Sequence, residues 1–387
     1  MKRIALIDID SVLIEPLGYR KAVVAVWDYI TSLMQIPPLP LSAQTMADME
    51  AVGITSEWDM LPILIASLWQ TILAQTDSIP LPADGEVLSA ARAFAKAPAL
   101  PRITAISIPK IQPVPNQFPA ETAWEAGSFP ALPQALGDNL LRNSRDPYLS
   151  ATTRLFQQYV LGSEKFQQTY RLPANVQSPS FLALYDKPLI PDSIRNALLA
   201  TQQNGMLDIA IITSRPSLPP DGIVNDAGGY APEAEIALES LGMANLALIG
   251  FGKLKYIGDL YQLKADQLIK PAAAHSLAAI LALLMGDDKL ALDTAINWAV
   301  KKNFSAFREI LPQQMEIHLI EDTMGGVRSA QAAVQLLRQM GRDVYLFCYG
   351  LTSGNDAKRS TFENENIPHY ENWESLWQVI AERLNAP

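Results

Sequence analysis

Five short apolar runs constrain what this chain can fold into: residues 4–7, 209–212, 246–249, 317–320 and 344–348. Each has the length of a strand and lacks alternating polar residues, so each reads as a strand buried on both faces. Helical patterns separate the later runs. In residues 326–340, Val327, Ala330, Val334 and Leu337 share one face, and Gly341 closes the helix. Residues 193–203 read as a helix with Asp192 as N-cap and Gly205 just past its end. Strands alternating with helices predict an α/β fold, a Rossmann-like parallel-sheet core with helices on both faces.

The first run stands about 200 residues ahead of the second, enough for a further domain. The chain has 387 residues, which allows two or three domains or one core with a large insertion. The expected division is a core of residues 1–14 and 195–387, with residues 15–194 forming an inserted, mainly helical domain. Within the insert, residues 19–35, 59–75, 84–97 and 149–169 carry helical patterns, with Pro62 in the first turn of the second. Eight prolines fall between Pro98 and Pro133, with no sustained period of 3.6 or 2. That stretch reads as an extended connection or surface insertion, and about 98–148 is set apart as a proline-rich insertion. Residues 287–312 look like one or two extra helices without an assigned role.

Composition removes several function classes. Apolar residues make up 49%, ample for a packed core. Lys and Arg number 30 against 40 Asp and Glu, a formal charge of −10, so no broad nucleic-acid footprint is expected. Cys348 is the single cysteine, which excludes a disulfide framework and reads as a small buried side chain. His275, His318 and His369 are scattered, and none has metal-ligand spacing. No segment reaches the roughly 18 consecutive apolar residues of a membrane helix. Behind Met1-Lys2-Arg3 the apolar run is broken by Asp8 and Asp10, so no signal segment is expected, and a cytoplasmic location follows as the default.

The chemistry sits at strand ends. Asp8 and Asp10 follow the first run, Thr213 and Ser214 the second, and Glu321 and Asp322 the fourth. In a parallel sheet the carboxyl ends of the strands share one edge, where ligands bind. Acidic residues from two such ends can converge on one hard cation; oxygen donors suit Mg²⁺, and such a cation bridges to a phosphate. Lys270, before Pro271 and a helical stretch, is a compact charge that can bind phosphate; Lys253 and Lys255 compete for that task.

In this order the residues resemble the four motifs of the haloacid dehalogenase-like hydrolase superfamily. Leu6-Ile7-Asp8-Ile9-Asp10-Ser11-Val12-Leu13 resembles the first motif and Ala210-Ile211-Ile212-Thr213-Ser214-Arg215-Pro216 the second. Lys270-Pro271 resembles the third, and Ile320-Glu321-Asp322-Thr323 with Gly325-Gly326 the fourth. The long insert matches in position the helical cap found in one subfamily between motifs one and two. Ser11 stands where glycine is usual.

The resemblance implies a Mg²⁺-dependent phosphatase acting on a small phosphorylated metabolite through an aspartyl-phosphate. Asp8 would be the nucleophile and Asp10 the acid and base. Thr213 would bind a phosphoryl oxygen, and Lys270 would neutralise Asp8 and the transferring group. Asp8, the Asp10 carbonyl and Asp322 would hold the metal, with Glu321 nearby or acting through water. Backbone N–H groups around Ile9 and Asp10 would complete the cradle. The second aspartate favours phosphoryl transfer over dehalogenation. Alternatives are a phosphomutase or phosphotransferase of the same family, or a catalytically silent binding protein.

Weaker signals remain. Gly250-Phe251-Gly252 could open a dinucleotide fingerprint, but Lys255 replaces its third glycine. Residues 53–59, with Trp58, read either as a specificity loop, with Tyr19-Arg20, or as a capped helix start. Arg215 can reach a second anion or form a surface ion pair.

Overall fold

A computed structural model describes residues 1–385 except 77, 78, 99, 102, 104, 105, 113, 115, 116, 224–229 and 306. Its central sheet is built from β1 (Lys2–Ile7), β4 (Asp208–Ile212), β5 (Ala247–Ile249), β6 (Gln314–Glu321), β7 (Asp343–Leu351) and β8 (His369–Tyr370). A small antiparallel pair joins β2 (Ile14–Glu15) to β3 (Lys187–Pro188). The sheet order is β5-β4-β1-β6-β7-β8, and every pairing in it is parallel. The chain therefore winds outward from β1 to one edge, returns, and winds outward to the other. The order reverses between β1 and β6, the place where an open parallel sheet leaves a crevice.

Four of the five apolar runs send alternate residues into two separate cores. In the fifth, 344–348, Tyr345 is 47% exposed and Cys348 only half-buried, so that strand is not covered on both faces as expected. Ile4, Leu6, Ala210, Ile212, Ile317 and Leu319 pack on one face. Ala5, Ile7, Ile209, Ile211 and Ile320 pack on the other. With both faces covered the runs are apolar; the exception, His318, is buried because Glu316 and Tyr349 satisfy its ring nitrogens. On the first face lie helices Phe251–Tyr261, Ala273–Met285, Asp288–Ala299 and Met324–Gln339. The second is covered by Asp192–Gln203, Glu233–Ser240 and Trp373–Leu384.

Helix Ala273–Met285 is apolar around most of its circumference and needs cover beyond the sheet. Residues 287–312 supply it. Gly286, at φ 67°, ends one helix, and Asp287 caps the next by accepting from Leu290 N at 3.0 Å. The new helix then buries Ala291, Leu292, Ala295, Ile296 and Trp298. Asp192 is the first residue of its helix rather than the cap, which is Pro191.

Contacts divide the chain into two units, Met1–Pro16 with Asp186–Pro387, and Leu17–Tyr185. The second unit is helical, with Leu17–Leu33, Glu57–Leu73, Val87–Phe94 and Ala151–Leu161 among its elements. Trp27, Trp69, Phe94, Phe156 and Phe166 fill its interior. Pro62 falls in the second turn of its helix, not the first. Gly162, at φ 81°, divides residues 149–169 into two helices. The stretch from Pro98 to Pro133 lies partly outside the described residues, yet it holds a helix, Pro119–Glu125. Buried Asp59 anchors that helix, accepting from Ala120 N at 3.3 Å, Ser144 Oγ at 3.1 Å and Arg145 Nη2 at 2.8 Å. Residues 53–59 are thus a helix start whose Trp58 packs edge-on against Phe156.

Candidate active site

Asp8 extends β1 by one residue, its N–H donating to Ile320 O at 3.1 Å. Asp8 is 6% exposed and lies where β1 and β6 diverge. Lys270 Nζ is 2.9 Å from Asp8 Oδ2 and 2.5 Å from Glu321 Oε1. It also approaches Ile212 O at 3.5 Å, so one ammonium touches residues that follow or end three neighbouring strands. Lys253 and Lys255 are engaged elsewhere, with Asp288 and Asp259. The glycines near them serve packing: a Cβ on Gly252 would lie 1.8 Å from Ser217 O.

Carboxylate oxygens of Asp8, Glu321 and Asp322 lie within 4.8 Å of one another. Burial pushes the Asp8 carboxyl well above the ordinary range, and Glu321, Asp322 and Asp10 push the same way against the pull of Lys270. Burial likewise raises Glu321. Burial opposes the charge on Lys270, but Asp8 and Glu321 outweigh it and raise the ammonium above its usual value.

The three acids are not equivalent. Glu321 is fully buried and saturated: one oxygen takes Lys270, the other accepts from Asp322 N, Thr323 N and Thr323 Oγ1. Gly326 makes room for it, since a Cβ there would lie 1.8 Å from Glu321 Oε1. Asp322 is 8% exposed and pairs with Lys358 at 2.5 Å.

The carboxylate of Asp10 stands apart from this cluster. Its Oδ1 is held by Arg215, which is itself 2% exposed, so the surface ion pair expected for Arg215 is a buried one. Thr213 is buried at the end of β4, and its Oγ1 accepts from Arg215 N at 3.2 Å. Register places it beside the Asp8 loop, because Ile7 faces Ile211. The Ile9 N–H is already taken by Asp8 Oδ1 at 2.8 Å. Ser11 adopts φ 59°, the left-handed region where glycine carries no penalty.

The donor set fits a hard divalent cation. In these contacts three cations, Lys270, Arg215 and Lys358, meet five carboxylates, Asp8, Asp10, Asp186, Glu321 and Asp322. Of these, Asp8, Glu321 and Asp322 bring their oxygens close enough together that they could hold a metal ion.

Sequence reasoning missed Lys358 and Asp186. Lys358 lies in helix Asp356–Asn364 just after β7, whose end at Leu351 is three residues beyond the apolar run. Asp186 has no motif around it; its place just before β3 is a tertiary fact.

The fold has solved counterparts. An X-ray structure of a Northeast Structural Genomics Consortium target superposes with a TM-score of 0.69 at 14% identity, covering 99% of both chains. A phosphatase from Thermococcus thioreducens gives 0.45 at 13% identity, covering 93% of this chain and 98% of its own. The first likeness shows a shared fold. No family model and no curated protein sequence matches the chain. Among the described residues no helix is long and apolar enough to cross a membrane.

Proposed function

We propose that this chain is a Mg²⁺-dependent phosphoric monoester hydrolase, of the haloacid dehalogenase-like type, acting on a small phosphorylated metabolite. The observation that carries the reading is the Asp8 carboxylate at the strand-order reversal, 2.9 Å from Lys270 and within 4.8 Å of Glu321 and Asp322 oxygens. A nucleophile, its counter-charge and a cation-binding acid thus share one sheet edge.

Asp8 attacks phosphorus and carries the phosphoryl group as an aspartyl-phosphate. Lys270 pulls Asp8 toward its ionised form against burial and the neighbouring acids, and faces the charge that develops on the transferring group. Thr213 Oγ1 accepts from Arg215 N, which leaves its own hydrogen to donate to a phosphoryl oxygen. Asp10 gives a proton to the leaving oxygen and takes one from the attacking water. Glu321 orients Lys270 and the start of helix Met324–Gln339. Asp8, Asp322 and the Asp10 carbonyl would hold Mg²⁺, which offsets the repulsion between carboxylate and phosphate. Glu321, with its oxygens turned to Lys270 and to the start of the following helix, would stand nearby or reach the metal through water. The helical unit Leu17–Tyr185 matches in sequence position the cap of that family.

The test is hydrolysis of a panel of phosphorylated metabolites with Mg²⁺, with chelator, and by Asp8→Asn. The reading requires turnover that needs both metal and Asp8. Turnover indifferent to either would refute it.

A further inference from the structure

We propose that Arg215, braced by Asp186, is a positioning residue for Asp10 and assigns its two carboxylate oxygens different tasks. The inference rests on the phosphatase reading and deepens it.

Arg215 Nε and Nη2 both donate to the same atom, Asp10 Oδ1, at 2.8 and 2.6 Å. Nη2 also meets Asp186 Oδ2 at 3.0 Å. The guanidinium is 1% exposed and the Asp186 side chain 3%, whereas Asp10 is 34% exposed. The arginine is fixed along its backbone as well. Its N–H donates to Thr213 Oγ1 at 3.2 Å, and its carbonyl accepts from Phe251 N at 3.0 Å. Asp186 is the residue at which the chain re-enters the core unit.

Taking a guanidinium out of water is expensive, and its fork must be closely matched by acceptors to offset that cost. Here the match is made at one oxygen of Asp10. An oxygen facing two N–H donors cannot carry a proton, so a proton on Asp10 resides on Oδ2. Among the described residues no donor meets Oδ2, and Asp10 is the exposed member of the group.

The division of labour follows. In the first step an Asp8 oxygen bonds to phosphorus, the phosphorus–oxygen bond to the leaving group breaks, and the leaving oxygen takes the proton from Asp10 Oδ2. In the second, water gives a proton to the same Oδ2 and its oxygen bonds to phosphorus. The Asp8–phosphorus bond then breaks, releasing inorganic phosphate and restoring the carboxylate. Arg215 touches no reacting atom; by occupying Oδ1 it leaves Oδ2 as the oxygen open to exchange the proton.

A leaving group that needs no proton separates this role from a structural one. For wild type, Arg215→Lys and Asp186→Asn, kcat/KM is measured with 4-nitrophenyl phosphate, whose phenolate leaves unprotonated, and with glycerol 2-phosphate, whose alkoxide does not. Arg215→Lys keeps the charge and loses the fork. It is expected to lose at least tenfold more kcat/KM on glycerol 2-phosphate than on 4-nitrophenyl phosphate. Asp186→Asn shifts the ratio the same way by a smaller factor and serves alone should Arg215→Lys not fold. Equal losses on both substrates overturn the inference while leaving the phosphatase reading intact. Should wild type hydrolyse neither ester, the same ratio is taken between an aryl and an alkyl ester found in the metabolite panel; no turnover across that panel removes the phosphatase reading, and this inference with it.

Discussion

Lys270 Nζ lies 2.9 Å from Asp8 Oδ2 and 2.5 Å from Glu321 Oε1, one buried cation shared by two buried acids from neighbouring strands. Removing the cation while leaving the acids is therefore severe. Lys270→Met is expected to lower kcat/KM by about 10³-fold and destabilise the fold by about 3–5 kcal/mol. Lys253→Ala, whose ammonium is paired with Asp288 rather than with Asp8, is expected to change kcat/KM less than about threefold. Steady-state rates and urea melts of the two variants side by side check this.

Ser11 adopts φ 59° between Asp10 and the turn closed by Ser11 N to Ile14 O at 2.8 Å. A side chain in the left-handed region costs about 1–2 kcal/mol. Ser11→Gly relieves this but loosens the unfolded chain, so a net gain of roughly 0.5–1 kcal/mol is expected. The urea midpoint should rise at unchanged slope; a fall would contradict the strain argument.

His275 is buried between Lys270 N, which donates to Nδ1, and Ile249 O, which accepts from Nε2. Burial first and the Lys270 charge second push its pKa down to about 3. Below the unfolded value of about 6.5 the unfolded chain takes a proton that the folded chain refuses, so this contribution to stability is lost as pH falls. Between pH 6.5 and 5 the loss from this group is about 2 kcal/mol. His275→Gln should make unfolding less pH-dependent over that window, as chemical denaturation at several pH values would show.

Asp59 in the helical unit is fully buried with three donors, Ala120 N, Ser144 Oγ and Arg145 Nη2. Asp59→Ala leaves the Ser144 hydroxyl and the Ala120 N–H without their acceptor and is expected to destabilise by about 2–4 kcal/mol. Arg145→Ala leaves the fully buried Asp59 carboxylate without its cation and ends the contact of Arg145 with the Phe118 ring, so it is expected to cost about 3–5 kcal/mol, at least as much as Asp59→Ala. Thermal melts of both variants test the ranking.

The sheet was legible because a strand covered on both faces must be apolar at every position, as residues 4–7 and 209–212 are. β8, only His369–Tyr370, is too short and polar to signal itself. The residues at strand ends were legible because strand polarity alone puts Asp8, Thr213 and Asp322 on one edge. The role of Gly326 was hidden: nothing local says that the Glu321 carboxylate folds back onto it. Lys358 was hidden by the short reading of β7, and Asp186 by the absence of a pattern around a lone acid. The proline-rich stretch hid a helix because its anchor, Asp59, lies 61 residues before Ala120.

The central claim is that Asp8 itself takes the phosphoryl group. The direct measurement is acid-quenched peptide mass spectrometry during turnover of a phosphate ester with Mg²⁺. The account predicts one phosphoryl group on the peptide carrying Asp8 in the wild type, and none in Asp8→Asn or with chelator. Phosphate release that continues in Asp8→Asn, or a phosphoryl group on another residue, would contradict it.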